Sequence, residues 1–121
     1  MKKLFLLLFL SVLSAQSLSK VGDTYWCSMT QFLNVTVNEI EERPLESFHF
    51  FRDKEQIAFL SSSYLGGWTT DVTSQYQTDT QDIFSGGSAA GGFFKYHNGS
   101  FGFNYFGPTR AHIILADCSI N

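Results

Sequence analysis

Positively charged and metal-binding side chains are scarce in this sequence, which holds eight Lys and Arg, three His and two Cys among 121 residues. The basic residues are scattered, whereas a surface that binds nucleic-acid phosphates needs them clustered, so we expect no nucleic-acid partner. The histidines lack the spacing, to one another or to Cys, Asp or Glu, that metal sites require. No Gly-x-Ser-x-Gly motif or similar signature distinguishes a nucleophile. The sequence therefore indicates no metal, no other cofactor and no catalytic residue.

Residues 1–17 have the pattern of a secretory signal peptide. Two lysines precede an apolar run over residues 4–13, which is shorter than the roughly 20 apolar residues of a membrane-spanning helix. Small residues favour cleavage after Ser17, and cleavage after Ser14 is the alternative. We therefore expect a periplasmic or secreted protein whose mature chain, residues 18–121, is a single β domain without a transmembrane segment. That chain carries six basic and eleven acidic side chains, a formal charge of −5.

The two cysteines lie near the two ends of the predicted mature chain. Two lone cysteines of a small exported domain pair more often than they stay free, because the compartment is oxidising. We therefore expect a disulfide between Cys27 and Cys118 that ties the first strand to the last.

A period of two dominates the mature chain and predicts β-strands. Apolar residues occupy most odd positions from Tyr25 to Val37, and the polar Gln31 is the expected position of a bend or bulge. No segment shows a helical face. Counting the alternating segments gives seven or eight short strands joined mostly by tight connections. This pattern predicts an all-β antiparallel meander, a small closed or partly open barrel, with a two-sheet β-sandwich as the alternative.

The dipeptide Asn98-Gly99 is the strongest local signal, because it suits the backbone angles of a type I′ hairpin turn. A two-residue turn there fixes the register of the flanking strands. On one face it predicts three opposed pairs, which are Tyr96 with Phe101, Phe94 with Phe103, and Gly92 with Tyr105.

A second hairpin is predicted around a turn at Asp53 and Lys54. With Arg52 opposite Glu55, Phe48 and Phe50 face Phe59 and Ile57 across one apolar surface. The turn lacks the glycine that a two-residue hairpin prefers, so a bulged or four-residue turn stays open.

The segment 61–92 is rich in Ser, Thr, Gln and Gly. Trp68, Val72 and Tyr76 alternate with polar residues there, which predicts a strand with these side chains inward, and the Gly/Ser-rich run 85–92 is expected to be a mobile loop.

The candidate ligand-binding residues are Trp68, Tyr76 and His112. His112 shares strand phase with Ile114 and Ala116, so we expect it to face the interior near one barrel end. The alternative interpretation is that the aromatic residues fill the core and that His112 is a hydrogen-bonded structural histidine.

The leader, the run from Asp23 to Cys27, the Phe48-x-Phe50 hairpin and the terminal Cys118 together resemble short, uncharacterised secreted one-disulfide β-proteins of marine bacteria and their phages. The resemblance spans most of the chain and implies no activity, cofactor or site. Lipocalin-like proteins are a looser comparison, since their Gly-x-Trp normally lies on the first strand, whereas Trp68 lies in the middle of this chain.

Export, a compact β scaffold and an aromatic interior favour a periplasmic or secreted binding module for a small apolar or aromatic ligand. The alternative is a protein-interaction module, such as an inhibitor or envelope accessory factor, that acts through an exposed strand edge or the polar segment. A small hydrolase-like enzyme that depends on His112 is the third hypothesis.

Overall fold

The computed structural model describes residues 21–60, 64–88 and 91–120, which form one antiparallel sheet. Its strands are β1 (Thr24–Thr36), β2 (Ile40–Glu42), β3 (Ser47–Arg52), β4 (Gln56–Phe59), β5 (Thr69–Gln77), β6 (Asp82–Gly87), β7 (Gly92–His97), β8 (Ser100–Phe106) and β9 (Arg110–Ile120). Strand β1 pairs with β3 and also with β9, so these strands and the five between them close an eight-stranded barrel. Strand β2 is an extra strand paired with the second half of β1. The predicted all-β meander is confirmed, and it closes as a barrel rather than packing as a sandwich.

The predicted signal peptide, residues 1–17, lies outside the described residues. Within the ranges that the structure describes, no helix has the length and apolar character needed to cross a membrane.

The predicted disulfide is present. Cys27 and Cys118 lie directly opposite each other on β1 and β9, with their sulfur atoms 2.04 Å apart. The bond therefore joins the first strand of the barrel to the last, at the seam where the meander closes. Because the two cysteines are 91 positions apart in sequence, the bond removes much of the conformational freedom of the unfolded chain.

Strand β1 contains the irregularity that the sequence predicted near Gln31. Its register against β9 shifts between Met29 and Gln31, so Thr30 is an extra, bulged residue. Before the bulge the odd positions face inward, and after it the even position Phe32 is buried at 3% exposure. One extra residue in a strand reverses which face every later side chain occupies.

The hairpin between β7 and β8 has the register that Asn98-Gly99 predicts. Tyr96 lies opposite Phe101, Phe94 opposite Phe103, and Gly92 opposite Tyr105. Both turn residues have positive φ, 49° at Asn98 and 97° at Gly99, as a type I′ turn requires. Local turn chemistry is thus sufficient to set this pairing.

The predicted register of the hairpin between β3 and β4 is wrong by two residues. Arg52 lies opposite Ile57 and Phe50 opposite Phe59, so the turn spans four residues, with the N–H of Asp53 donating to the carbonyl oxygen of Gln56. The prediction assumed that an arginine would not lie directly opposite an isoleucine. In the barrel Arg52 points inward and is 1% exposed, which its polar partners make possible.

Those partners form a group that we call the polar lock, which consists of Tyr25, Arg52, Gln75 and Asp82. Arg52 donates from Nη1 to Asp82 Oδ1 at 2.9 Å and to the Tyr25 hydroxyl at 3.1 Å, and from Nη2 to Gln75 Oε1 at 3.2 Å. The Tyr25 hydroxyl in turn donates to Asp82 Oδ2 at 3.2 Å. The guanidinium also lies 4.1 Å from the centre of the Phe84 ring. This network supplies the hydrogen bonds without which a buried charge is strongly destabilising.

The prediction that Tyr76 of β5 faces inward is wrong. The register of β5 against β6 shifts between Val72 and Ser74, so Thr73 is bulged and the inward phase moves to odd positions. Gln75, itself exposed but paired with the inward-facing Phe84, consequently accepts a hydrogen bond from Arg52, whereas Tyr76 is 59% exposed. A period-two pattern cannot show such a bulge, because a bulge interrupts the period.

Part of the Gly/Ser-rich run 85–92 is strand rather than loop, since β6 continues to Gly87. Gly86 pairs with Val72 beside the β5 bulge, and a Cβ atom at Gly86 would lie 1.7 Å from the carbonyl oxygen of Asp71. The glycine is therefore needed for close approach of two backbones. Ala89 and Ala90 of this run lie outside the described residues.

Aromatic rings fill the middle of the barrel. Phe50, which is fully buried, stacks on Tyr25 with ring centroids 4.7 Å apart and contacts Phe59, Phe84 and Phe101. Each such ring pair contributes about 0.5 to 1.5 kcal/mol beyond the burial of its area. The centre of the barrel is thus occupied by interlocking side chains, and partly exposed rings occur nearer its ends.

Candidate binding site at one end of the barrel

The two ends of the barrel differ in chemistry. The polar lock lies at the end where β1 begins and β9 finishes. At the opposite end, where β1 finishes and β9 begins, aromatic side chains contact one another in a chain. We call this group the aromatic mouth, and it consists of Phe32, Tyr64, Trp68, Tyr105 and His112. Phe32 is buried, whereas the other four are half-buried and present ring surface to solvent.

The connection between β4 and β5 supplies two rings of the aromatic mouth. Its Leu65 is fully buried in the core and anchors the connection to the barrel. The N–H of Trp68 donates to the carbonyl oxygen of Leu65 at 3.1 Å, and the carbonyl oxygen of Trp68 accepts from the N–H of Phe59 at 2.8 Å. Anchored in this way, the connection places Tyr64 and Trp68 over the barrel end.

Trp68 packs edge-on against two inward-facing residues of β8. Its ring centroid lies 5.9 Å from that of Phe103 and 6.0 Å from that of Tyr105. A Cβ atom at Gly92 would lie 3.2 Å from the indole, so the missing side chain there leaves room for Trp68 to pack. The β7–β8 register therefore helps to position the tryptophan, since it sets Gly92 opposite Tyr105.

The Tyr64 hydroxyl and His112 Nδ1 are hydrogen-bonded, and the two rings meet edge to face with centroids 5.0 Å apart. Burial, followed by the charges of Arg43 and Arg110, lowers the pKa of His112 below its ordinary value of 6.5. Burial chiefly raises the pKa of Tyr64 to about 12. At neutral pH the tyrosine is therefore protonated and the imidazole is neutral.

Two arginines lie at the rim of the aromatic mouth. Arg43 follows β2, and its N–H donates to the carbonyl oxygen of Phe32 at 2.8 Å, while its guanidinium carbon lies 5.4 Å from the centre of the Phe32 ring. Arg110 begins β9 in the same strand phase as His112. Asn34 lies opposite His112, and its side-chain oxygen is buried without a hydrogen-bond partner among the described residues. The rim thus combines positive charge with an unsatisfied acceptor.

Two of the three candidate ligand-binding residues meet at this end. Tyr105 lies between Trp68 and His112 and contacts both rings. Tyr76 does not join them, because it lies on the outer face of β5 near the polar lock.

Sequence reasoning missed Phe32, Tyr64 and Tyr105 as members of the site. The register predicted from Asn98-Gly99 placed Tyr105 on the inward face and would have identified it. Tyr64 lies in a connection, so no strand period could indicate where it packs.

The geometry of the aromatic mouth is suited to binding. A neutral imidazole, a protonated phenol and an indole offer ring surface and hydrogen-bonding groups to a small molecule. Among the described residues, no group of three or more His, Cys, Asp and Glu side chains is placed to hold a metal ion. Comparisons with protein-family models, with curated proteins and with solved structures found no match.

Proposed function

We propose that this protein is a periplasmic or secreted binding module that takes a small apolar or aromatic ligand at the aromatic mouth. The observation that carries the proposal is the convergence of four half-buried rings, Tyr64, Trp68, Tyr105 and His112, at a single barrel end. Binding sites for small molecules are largely apolar and aromatic, with a few polar groups that orient the ligand.

The filled centre of the barrel supports a site at the end rather than deep inside. Leu65 and the rings around Phe50 occupy the interior, so a ligand gains contact area by covering the exposed surface of Trp68 and Tyr105. The disulfide and the polar lock lie towards the opposite end, where they hold the scaffold without contributing to the site.

Native mass spectrometry of the protein purified from its host tests the proposal directly. We expect a bound small molecule, or binding of aromatic probes such as p-cresol and indole accompanied by a rise in melting temperature. A protein that is always free of ligand and whose melting temperature does not change across aromatic, lipid and sugar probes would contradict the proposal.

The two tryptophans provide a matched pair of variants. Trp68 lies in the aromatic mouth, whereas Trp26 lies on the outer wall of β1, where it stacks on His49 and is 47% exposed. We expect Trp68→Leu to weaken binding of p-cresol about tenfold, since a ring contact is worth about 1 kcal/mol or more. Trp26→Leu should leave binding unchanged. Equal losses in the two variants would argue against this location.

The alternative function, a protein-interaction module, receives weaker support. Barrel closure pairs most strand edges, and the open ones among the described strands are short: β2 has three residues, and β5 continues to Gln77 beyond its pairing with β4 at Asp71. The outer wall does carry apolar side chains, with Phe93 53% and Leu115 44% exposed beside a shallow groove of about 230 Å³. Crosslinking in the host followed by Leu115→Ser would test this alternative, which requires a stoichiometric partner that the variant loses.

A further inference from the structure

We infer that the ligand of the aromatic mouth carries a negatively charged group, such as a carboxylate, and that Arg43 and Arg110 recognise it. This inference rests on the proposed function and specifies the chemical class of the ligand. It assigns a binding role to two arginines that sequence reasoning treated as scattered surface charge.

Arg43 is held at the rim by its own backbone and by a ring. Its N–H is bonded to Phe32, and its guanidinium packs on the Phe32 face at 5.4 Å, which restricts a side chain that is otherwise flexible. Its charge acts on both Tyr64 and His112. A guanidinium in this position can reach a ligand that covers those two rings.

Arg110 lies on β9, which pairs with the edge of β1 opposite to the one that β2 occupies. It occupies the first position of β9, two residues before His112, and both lie on the inward phase of the strand. Its charge also acts on the His112 ring. The two arginines therefore come from separate parts of the chain and converge on one imidazole.

Neither arginine forms an ion pair with a carboxylate among the described residues. The acidic side chains of the segment that carries Arg43 are Glu39, Glu41, Glu42 and Glu46. The carbonyl oxygen of Glu39 accepts from the N–H of Thr36, which lies opposite Arg110, and Glu46 Oε1 accepts a hydrogen bond from the Tyr64 N–H at 3.3 Å. Two guanidinium groups that form no ion pair with a described carboxylate are suited to an anion supplied from outside.

Two probes of matched shape distinguish the contribution of the ligand's charge to affinity from the contribution of its ring. Phenylacetate and phenylacetamide have nearly the same shape, but only the first is an anion at neutral pH. By isothermal titration calorimetry at low salt, we expect phenylacetate to bind at least about fivefold more tightly, and the difference to shrink at high salt. Arg43→Gln and Arg110→Gln should each bring the ratio of phenylacetate affinity to phenylacetamide affinity closer to one, because each removes a charge that only the anionic probe uses.

Lys54→Gln is the control, because it removes the same charge from an exposed residue in the β3–β4 turn at the opposite barrel end. Lys54→Gln should change neither the affinity for phenylacetate nor the affinity for phenylacetamide. Equal binding of the two probes would overturn the inference and leave the proposed function standing. If neither probe binds at millimolar concentration, both the proposed function and the inference fail.

Discussion

Arg52 and Asp82 form an ion pair 2.9 Å long in which both side chains are almost completely buried. They are 30 residues apart in sequence and belong to β3 and β6, which β4 and β5 separate in the sheet. A buried pair of this kind adds little net stability compared with an apolar pair, but loss of one member leaves the other charge without compensation.

Asp82→Ala should therefore destabilise the protein by about 3 to 5 kcal/mol, measured by urea denaturation. The matched control is Asp79→Ala, which removes an exposed carboxylate shortly before β6 and should change the free energy of unfolding by less than about 0.5 kcal/mol. A loss below about 1 kcal/mol in Asp82→Ala would show that Arg52 does not depend on this partner.

Removal of the disulfide should cost about 4 to 5 kcal/mol, because the bond closes a loop of 91 residues in the unfolded chain. The double variant Cys27→Ala with Cys118→Ala, compared with the oxidised protein in urea, measures this cost. Mass spectrometry after alkylation should show no modified cysteine unless reductant is added. Equal alkylation with and without reductant would refute the bond.

Two glycine-to-alanine substitutions should differ strongly in their effect on stability. Gly86→Ala places a Cβ atom 1.7 Å from the backbone oxygen of Asp71, and neither backbone can yield without breaking the β5–β6 pairing, so we expect a loss of at least about 3 kcal/mol. Gly102→Ala places its Cβ 3.6 Å from the Leu115 side chain, an ordinary contact. The second variant should keep the melting temperature within a few degrees, and similar losses in both would contradict the close approach at Gly86.

His112 should make stability depend on pH in a specific window. Burial and the charges of Arg43 and Arg110 lower its pKa in the folded protein below 6.5, so the unfolded chain takes up a proton at a higher pH than the folded one. The free energy of unfolding should consequently fall as the pH decreases from about 6.5 through the lowered pKa. Urea denaturation at several pH values between 8 and 5 measures this dependence. In His112→Gln, the free energy of unfolding should change less steeply with pH than in the parent protein. His97→Gln, at an exposed histidine beside the β7–β8 turn, is the control and should keep the slope of the parent protein.

A strand register can be predicted from the sequence when residues close together in the chain determine it. Asn98 and Gly99 set the β7–β8 register through their own backbone angles, so that prediction is correct at every pair. The β3–β4 register instead depends on Arg52 meeting Asp82, and a contact between residues so distant in sequence leaves no local pattern. The resulting burial of an arginine also contradicts the usual preference for exposed charge.

The candidate site shows the same division. His112 was predicted from its phase with Ile114, and the regular pairing of β9 keeps that phase intact. Tyr76 was misplaced because the bulge at Thr73 reverses the phase within a single strand. Whether Trp68 and His112 bind a ligand stays a prediction.

The pairing of Tyr25 with Ile120 places both ends of the described barrel on the side away from the aromatic mouth. A tag or fusion partner attached before β1 or after β9 would therefore leave the mouth facing outward. Immobilisation through a tag next to Tyr25 or Ile120 should present the candidate site towards solution, which makes surface-based binding assays practical for this protein.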